Sequence, residues 1–270
     1  MIRLIDIGGS GVKTCKVRDD FFVKDFETIE IQHFSNPDWD NFVEFLNNNS
    51  LLDGDKIAIS SPGFIRKNGI IELFRVGSWH KKDLVSEIKK IVNHSSVYLL
   101  NDAEAHLYAN IKAKKFGFRY YTTMLLSIGT SVGFAISNQD GEIVKTLDEL
   151  NFDIGCMSIK TSASNAQVWH ALGSNGLQEL EMKHGYQKAI EQYGYRLGGL
   201  LVSLATIFKP EHIVLSGGIT ENHFENFKPY MFAEFNNTKP DWLDFIEIRK
   251  SEYSKNSALI GMAKYANRKL

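Results

Sequence analysis

The chain has 270 residues, a formal net charge of −1, 43% hydrophobic and 23% charged residues. That length holds one large domain or two modest ones with real cores, and the composition is that of an ordinary soluble protein. There is no basic excess for nucleic acid or an anionic membrane, and no apolar run approaches the roughly 20 residues a membrane span needs. Cys15 and Cys156, the only two cysteines, cannot build a disulfide framework. The first residues read directly as a strand rather than a leader, so a reducing cytoplasm is the expected compartment.

Residues 2–7 (IRLIDI) are apolar and β-branched and predict a buried strand. Residues 12–17 and 21–26 continue as two more strands of a meander. Asn36-Pro37 opens a helix, and Trp39, Phe42, Val43 and Leu46 mark one face of it. Residues 56–60 (KIAIS) predict a strand ended by Ser61-Pro62-Gly63, and Asp83 to Val92 a helix with Leu84, Ile88 and Ile91 inward. Residues 96–100 (SVYLL) predict a strand that delivers Asn101 and Asp102 to the start of the next helix, with Asp102 near its N-cap.

The order then restarts. Residues 121–128, 132–137 and 142–146 predict strands, followed by long helices at 164–183 and 186–208. Residues 212–216 (HIVLS) predict a strand ending in Gly217-Gly218. A helix at 221–235, a strand at 243–248 and a helix at 256–268 close the chain. The repeat is architectural: two α/β halves, each opening with a strand, a glycine turn and a strand.

Those two turns are Asp6-Ile7-Gly8-Gly9-Ser10-Gly11-Val12-Lys13 and Ser127-Ile128-Gly129-Thr130-Ser131-Val132-Gly133. Glycines let a backbone approach a ligand closely, and turn N–H groups bind anions. Two such hairpins suggest two halves of one phosphate clamp; the plain alternative is two ordinary turns. Gly217-Gly218 reads either as a nucleotide contact or as a strand-to-helix turn. No G-x-x-x-x-G-K-[ST] loop is present, which disfavours a P-loop enzyme.

Taken together, these motifs resemble the ROK family of sugar kinases and repressors within the actin-like, hexokinase-type ATPase superfamily. The closest likeness is to the polyphosphate/ATP glucokinase branch, and it covers nearly the whole chain. It rests on DIGGSGVK at 6–13, Ser61-Pro62-Gly63-Phe64-Ile65, and Trp79 with Asp83-Leu84. Leu100-Asn101-Asp102-Ala103-Glu104-Ala105 looks like the family's NDAxA box and Gly129-Thr130-Ser131-Val132-Gly133 like its GTGxG. The run Lys209 to Ile219 looks like its PExIVLGGG, and Ala258 to Ala263 like its closing A-x-x-GAA.

The resemblance implies an α/β, two-lobed actin-like ATPase (ribonuclease H-like) fold with mixed five-stranded sheets flanked by helices. The N-terminal lobe would span 1–115 with a returning helix at 255–270, and the C-terminal lobe 116–254, with the active site between them. Asp102 would be the general base on the sugar hydroxyl; read alone, it is a helix N-cap. Gly8, Gly9, Ser10, Gly11, Lys13, Gly129, Thr130, Ser131, Gly217 and Gly218 would hold phosphates and nucleotide. Gly63, Asn101, Asp102, Asp153 and Glu179 would bind the sugar. Asp6 would orient Mg²⁺ through water, and the phosphoryl donor would be ATP or polyphosphate.

The likeness fails at several places. Where the family reads GE-x-GH, this chain reads Phe152-Asp153-Ile154-Gly155-Cys156; Asp153 keeps a shorter carboxylate, and a thiol cannot replace a histidine's hydrogen bonds. The family's CxCGxxGC zinc motif is also missing, as in the polyphosphate branch. Cys156, His170 and His184 do not have compact zinc spacing, so no zinc is expected.

The expected activity is a cytoplasmic, glucokinase-like hexose kinase, with N-acetylhexosamine phosphorylation as an alternative. A degenerate sugar or nucleotide sensor is the rival from another class, and an actin- or chaperone-type ATPase module a third. Only five residues precede Asp6, so a repressor with its DNA-binding segment ahead of the first hairpin is not expected. Small-molecule partners, no nucleic acid and no membrane follow. Relatives are often dimers, and the helices at 164–208 offer an apolar face for a homodimer.

Overall fold

The computed structural model describes residues 1–8, 11–21, 23–27, 29–35, 38–48, 56–66, 69–72, 77–92, 96–114, 119–160, 165–253 and 256–268. They fall into two units: Met1–Asn110 with Lys145–Asn151 and Asn256–Leu270, and Ile111–Val144 with Phe152–Lys255.

In the first unit, β1 (Ile2–Gly8) and β2 (Gly11–Val17) form an antiparallel hairpin in register from Ile2↔Val17 to Gly8↔Gly11. β3 (Gln32–Ser35) joins β2, α1 (Trp39–Asn48) follows, and β4 (Lys56–Ser61) runs parallel to β1 on its other side. Three short strands, β5 (Phe64–Ile65), β6 (Ile70–Glu72) and β7 (Lys82–Asp83), make a small separate sheet. After α2 (Leu84–Ile91), β8 (Val97–Asn101) lies parallel to β4 and leads straight into α3 (Asp102–Asn110). The main sheet is five-stranded, in the order β3-β2-β1-β4-β8. Period-two alternation sends Ile5, Ile7, Ile57 and Ile59 to one face, where they pack with Trp39, Phe42, Leu46, Trp79, Leu84 and Ile88.

In the second unit, β9 (Thr123–Ile128) and β10 (Val132–Ser137) form the second glycine hairpin. A ribbon of β11 (Ser158–Lys160) and β12 (Asn165–Gln167) leads to α4 (Val168–Ala171), α5 (Ser174–His184) and α6 (Tyr186–Phe208). Then come β13 (His212–Ser216), α7 (Gly218–Thr238) and β14 (Glu247–Lys250). β13 is parallel to both β9 and β14, giving the order β10-β9-β13-β14. Its core joins the apolar faces of α6 and α7 (Tyr193, Leu197, Leu201, Phe227, Met231) to Leu126, Ile128 and Leu215. Gly194 and Gly198 let α6 approach α7, since a Cβ at either would lie 2.7 or 2.5 Å from an α7 carbonyl oxygen. The last helix, α8 (Ser257–Arg268), belongs to the first unit. There Gly261 rests directly on α3: a Cβ would lie 1.7 Å from the Ala105 carbonyl oxygen.

Several expectations are corrected. The strand expected at 21–26 is not formed by the described residues there: Val23–Glu27 form a 3₁₀ turn, because Phe26 buries and Phe21 packs edge-on against it at 5.8 Å. The third strand of the meander is β3. In the second sheet a fifth strand at 142–146 is replaced by a single bridge, Ser137↔Ile143. The Asn138 side chain takes the N–H groups of Asp140 and Glu142, and from Lys145 the chain joins the first unit. The helix expected at 164–183 is broken into β12, α4 and α5 at Gly173, whose backbone is pressed against Trp169 and Thr130. A 3₁₀ turn at Asp241–Leu243 delays the last strand to 247–250. Helix α7 is longer than 221–235, beginning at Gly218 and ending at Thr238. The start of α1 at Asn36-Pro37 lies outside the described residues.

Candidate active site

Strand register alone brings together the candidate residues of the first unit. Asp6 stands opposite Lys13 on β2 and Ser60 on β4. Ser60 Oγ donates to Asp6 Oδ1 at 2.7 Å, and Lys13 Nζ lies 3.7 Å from Asp6 Oδ2. Ser60 was not anticipated; its sequence signal was a serine at the end of a short apolar run, and the structure shows it fully buried. Of the glycine turn, Gly8 and Gly11 close the hairpin, while Gly9 and Ser10 lie outside the described residues.

One strand further, Ser61 pairs with Asn101. Asn101 Nδ2 donates to the Gly63 carbonyl at 2.9 Å, where Gly63 holds φ +95°. Asn101 Oδ1 accepts from Ala103 N at 2.9 Å, and Glu104 Oε2 accepts from Asn101 N at 3.1 Å. This is a capping box, and it corrects the expected cap: Asn101 caps α3, and Asp102 is its first helical residue. Asp102 Oδ1 accepts from the same Ala103 N–H at 2.8 Å, so the two side chains share this donor at the start of the helix.

The Asp102 carboxyl sits deep among protein atoms, though the residue keeps some exposure. Burial pushes it up from 3.8 to about 6; the Ala103 N–H opposes this, and the Asp6 and Glu104 carboxylates add to it. Glu104 is 1% exposed and meets Lys145 Nζ at 2.5 Å.

In the second unit three backbone elements converge. The Gly129 carbonyl accepts from Ser174 N at 2.9 Å, tying the turn after β9 to the start of α5. A Cβ on Gly173 would lie 2.6 Å from the Thr130 carbonyl oxygen, and one on Gly217 (φ +92°) would lie 2.5 Å from that of Ile128. The turn at Gly129, Thr130 and Ser131 thus lies against the N-termini of α5 and α7. Their N-caps, Gly173 and Gly217, make no side-chain cap bond. Helix N-termini present N–H groups and positive dipole ends, the setting anions favour. A Cβ on Gly129 or Gly218 would meet nothing within 4 Å, so both backbones are bare on that side. Gly173 and Ser174 were missed, because the tertiary approach that makes them useful leaves no sequence pattern.

Asp153 and Glu179 also lie in the second unit. Asp153 is exposed and closes its own turn, Oδ1 accepting from Gly155 N at 2.7 Å with Cys156 Sγ 3.8 Å from Oδ2. Glu179 is exposed on α5 and pairs with His170 Nε2 at 3.1 Å. A Cβ on Gly155 would lie 3.4 Å from Trp169 Cβ, so the Asp153 turn lies against α4. Nearby, an open cleft of about 420 Å³ is lined by Ser158, Tyr195, Arg196, Gly199, Ser203 and Glu234, none of them a site residue read from the sequence.

The donor sets can be compared with the ligands implied. Asp6 offers one partly exposed carboxylate beside an ammonium, which suits a Mg²⁺ ion that keeps its waters and not a dedicated protein cage. Among the described residues no group of three or more His, Cys, Asp or Glu side chains is arranged to hold a metal ion.

A model of the ROK family matches residues 174–269, so the resemblance read from the motifs is borne out. Among curated proteins, the xylose repressor of Bacillus spizizenii is 25% identical over 233 residues, 77% of this chain. The match covers 59% of that repressor, so the chain spans little more than half its length. Among solved structures, a ROK family protein from Streptococcus pneumoniae TIGR4 in complex with sucrose aligns with TM-score 0.79 at 20% identity, covering 99% of this chain and 98% of that one. A ROK family glucokinase from Streptomyces griseus, in complex with glucose and AMPPNP, aligns with TM-score 0.72 at 12% identity, covering 98% of each chain. The fold is the actin-like ATPase fold of these proteins.

Proposed function

With the ROK family matched over its C-terminal part and the ROK fold over its whole length, we propose that this chain is a carbohydrate kinase. It transfers a phosphoryl group from ATP to a hexose hydroxyl, with Asp102 as general base. The observation that carries this reading is the placement of Asp102: a carboxyl deep among protein atoms, directly after strand β8 and on the first residue of α3, pushed up to about 6 by burial. A base poised near neutrality takes a hydroxyl proton most effectively at cellular pH.

In this reading Asp102 aligns the sugar hydroxyl and receives its proton as the oxygen attacks. ATP, or polyphosphate, supplies the phosphoryl group. In the second unit the turn at Gly129–Ser131, the starts of α5 and α7 and Gly218 would hold phosphates and nucleotide; in the first unit the first hairpin and Lys13 would hold phosphate. Mg²⁺, oriented by Asp6 through water, would neutralise charge on the donor. Asn101 and Gly63 shape the sugar side of the first unit, and Asp153 and Glu179 that of the second. Glucose is the first acceptor to test, with N-acetylhexosamines next, because Asp153 and Cys156 stand where the family places Glu and His.

That altered segment, with the likeness to a xylose repressor, supports a second reading: a sugar sensor without turnover. A substrate panel with Mg-ATP or polyphosphate, run on wild type and Asp102→Asn, tests both. The kinase reading expects turnover on at least one sugar and a loss of roughly 10²–10⁴-fold in Asp102→Asn. Near-wild-type turnover in Asp102→Asn sinks the assignment of the base. Tight sugar binding without turnover on any acceptor favours the sensor.

A further inference from the structure

The reading above leaves without a role an ion pair between a buried carboxylate and a partly exposed lysine. Glu104 is two residues beyond Asp102 and 1% exposed. One carboxylate oxygen takes the Asn101 N–H at 3.1 Å, and the other meets Lys145 Nζ at 2.5 Å. Lys145 begins the stretch Lys145–Asn151, which the chain contributes to the first unit between two parts of the second. The same stretch ends on Asn151, buried, whose Oδ1 accepts from Ile65 N at 3.3 Å. Removing a carboxylate from water costs free energy that its pairing with a partly exposed lysine only offsets. A glutamine at 104 would complete the same capping box without a charge.

We propose that Glu104 and Lys145 form a positioning pair for Asp102: Glu104 fixes the turn that aims the carboxylate, and Lys145 cancels the negative charge that Glu104 sets beside it. The consequence for turnover rests on the kinase reading; the consequence for the ionisation of Asp102 does not. From β1 comes Asp6, itself facing Lys13 of β2, and from β4 the uncharged Ser60. From β8 and α8 come Tyr98 and Tyr265, the latter pushed up by burial and by Glu104 and so neutral near pH 7. On α3 itself is His106, and Lys264 of α8 donates to the Ala109 carbonyl near the far end of the helix. Lys145 is thus the cation in contact with Glu104.

The test is the titration midpoint of the Asp102 carboxyl, followed by carbon NMR on the full chain and assigned with Asp102→Asn. The acid limb of the sugar-kinase rate profile is measured in parallel. Lys145→Met leaves Glu104 uncompensated and is expected to raise the midpoint by about one pH unit. Glu104→Gln keeps an acceptor for the Asn101 N–H, removes the charge and lowers the midpoint by a similar amount. Lys145→Arg restores the wild-type value, and the double variant returns close to it. Opposite shifts support the pair; equal shifts, or midpoints that do not move, overturn it. Should Lys145→Met fail to fold, the downward shift in Glu104→Gln decides alone. If the midpoints move as stated and no sugar is phosphorylated, the kinase reading fails and the pair stands.

Discussion

Replacing Asp102 by asparagine should stabilise the first unit at neutral pH while removing turnover. The carboxyl binds its proton at 3.8 in the unfolded chain and at about 6 in the fold, burial being the main cause. The folded state therefore holds more proton than the unfolded state between these values. The stability this confers is fully present below about pH 4 and is lost as pH rises through about 6. A rise from 3.8 to about 6 corresponds to a penalty of about 3 kcal/mol on the ionised wild type above that window. Asparagine has the shape of the protonated carboxyl and does not titrate, and Asn101 continues to cap α3. The variant should be about as stable as wild type near pH 4 and more stable by about 2–3 kcal/mol near pH 8. Hydrogen exchange of the α3 amides at both pH values, with urea unfolding as a second measure, reads the difference. An advantage for Asp102→Asn that is the same at both pH values, or absent, would refute the reasoning, since it would mean that Asp102 is solvated and untuned.

Three further outcomes follow from packing. Gly261→Ala would drive α8 off α3 by roughly 1.5 Å, because its Cβ would otherwise lie 1.7 Å from the Ala105 carbonyl oxygen. It should cost about 3 kcal/mol despite a helix-propensity gain of about 1 kcal/mol. Gly199→Ala on α6, where the nearest atom to the new Cβ is Glu234 Oε1 at 3.9 Å, should instead stabilise by about 0.5–1 kcal/mol in the same denaturation assay. Cys156 is exposed, while burial pushes the Cys15 thiol up to about 12. An aromatic disulfide reagent should therefore titrate one thiol in the native protein and the second only in denaturant.

Legibility in the sequence followed the range of the interaction. The paired glycine hairpins, the buried strands at 2–8, 56–61 and 212–216 and the long α6 were readable because short apolar runs and 3.6-residue periodicity act locally. The NDAE turn was readable as a helix start, but its division of labour was not. Which of Asn101 and Asp102 caps α3 depends on where β8 stops and on the Gly63 carbonyl that Asn101 also holds. The strand expected at 142–146 failed because Lys145 answers a buried carboxylate 41 positions earlier in the chain. The helix expected at 164–183 failed because Gly173 meets Thr130 across the fold.

The fold class, the order of the two halves and the candidate base were thus carried by local pattern and motif. The tertiary structure decided what those residues face. Strand register put Asp6, Lys13 and Ser60 side by side, and close glycine approaches brought two helix starts to the Gly129 turn. Burial moved the Asp102 carboxyl toward neutrality and paired Glu104 with Lys145. These depend on contacts between residues far apart in the chain, which composition and periodicity do not encode.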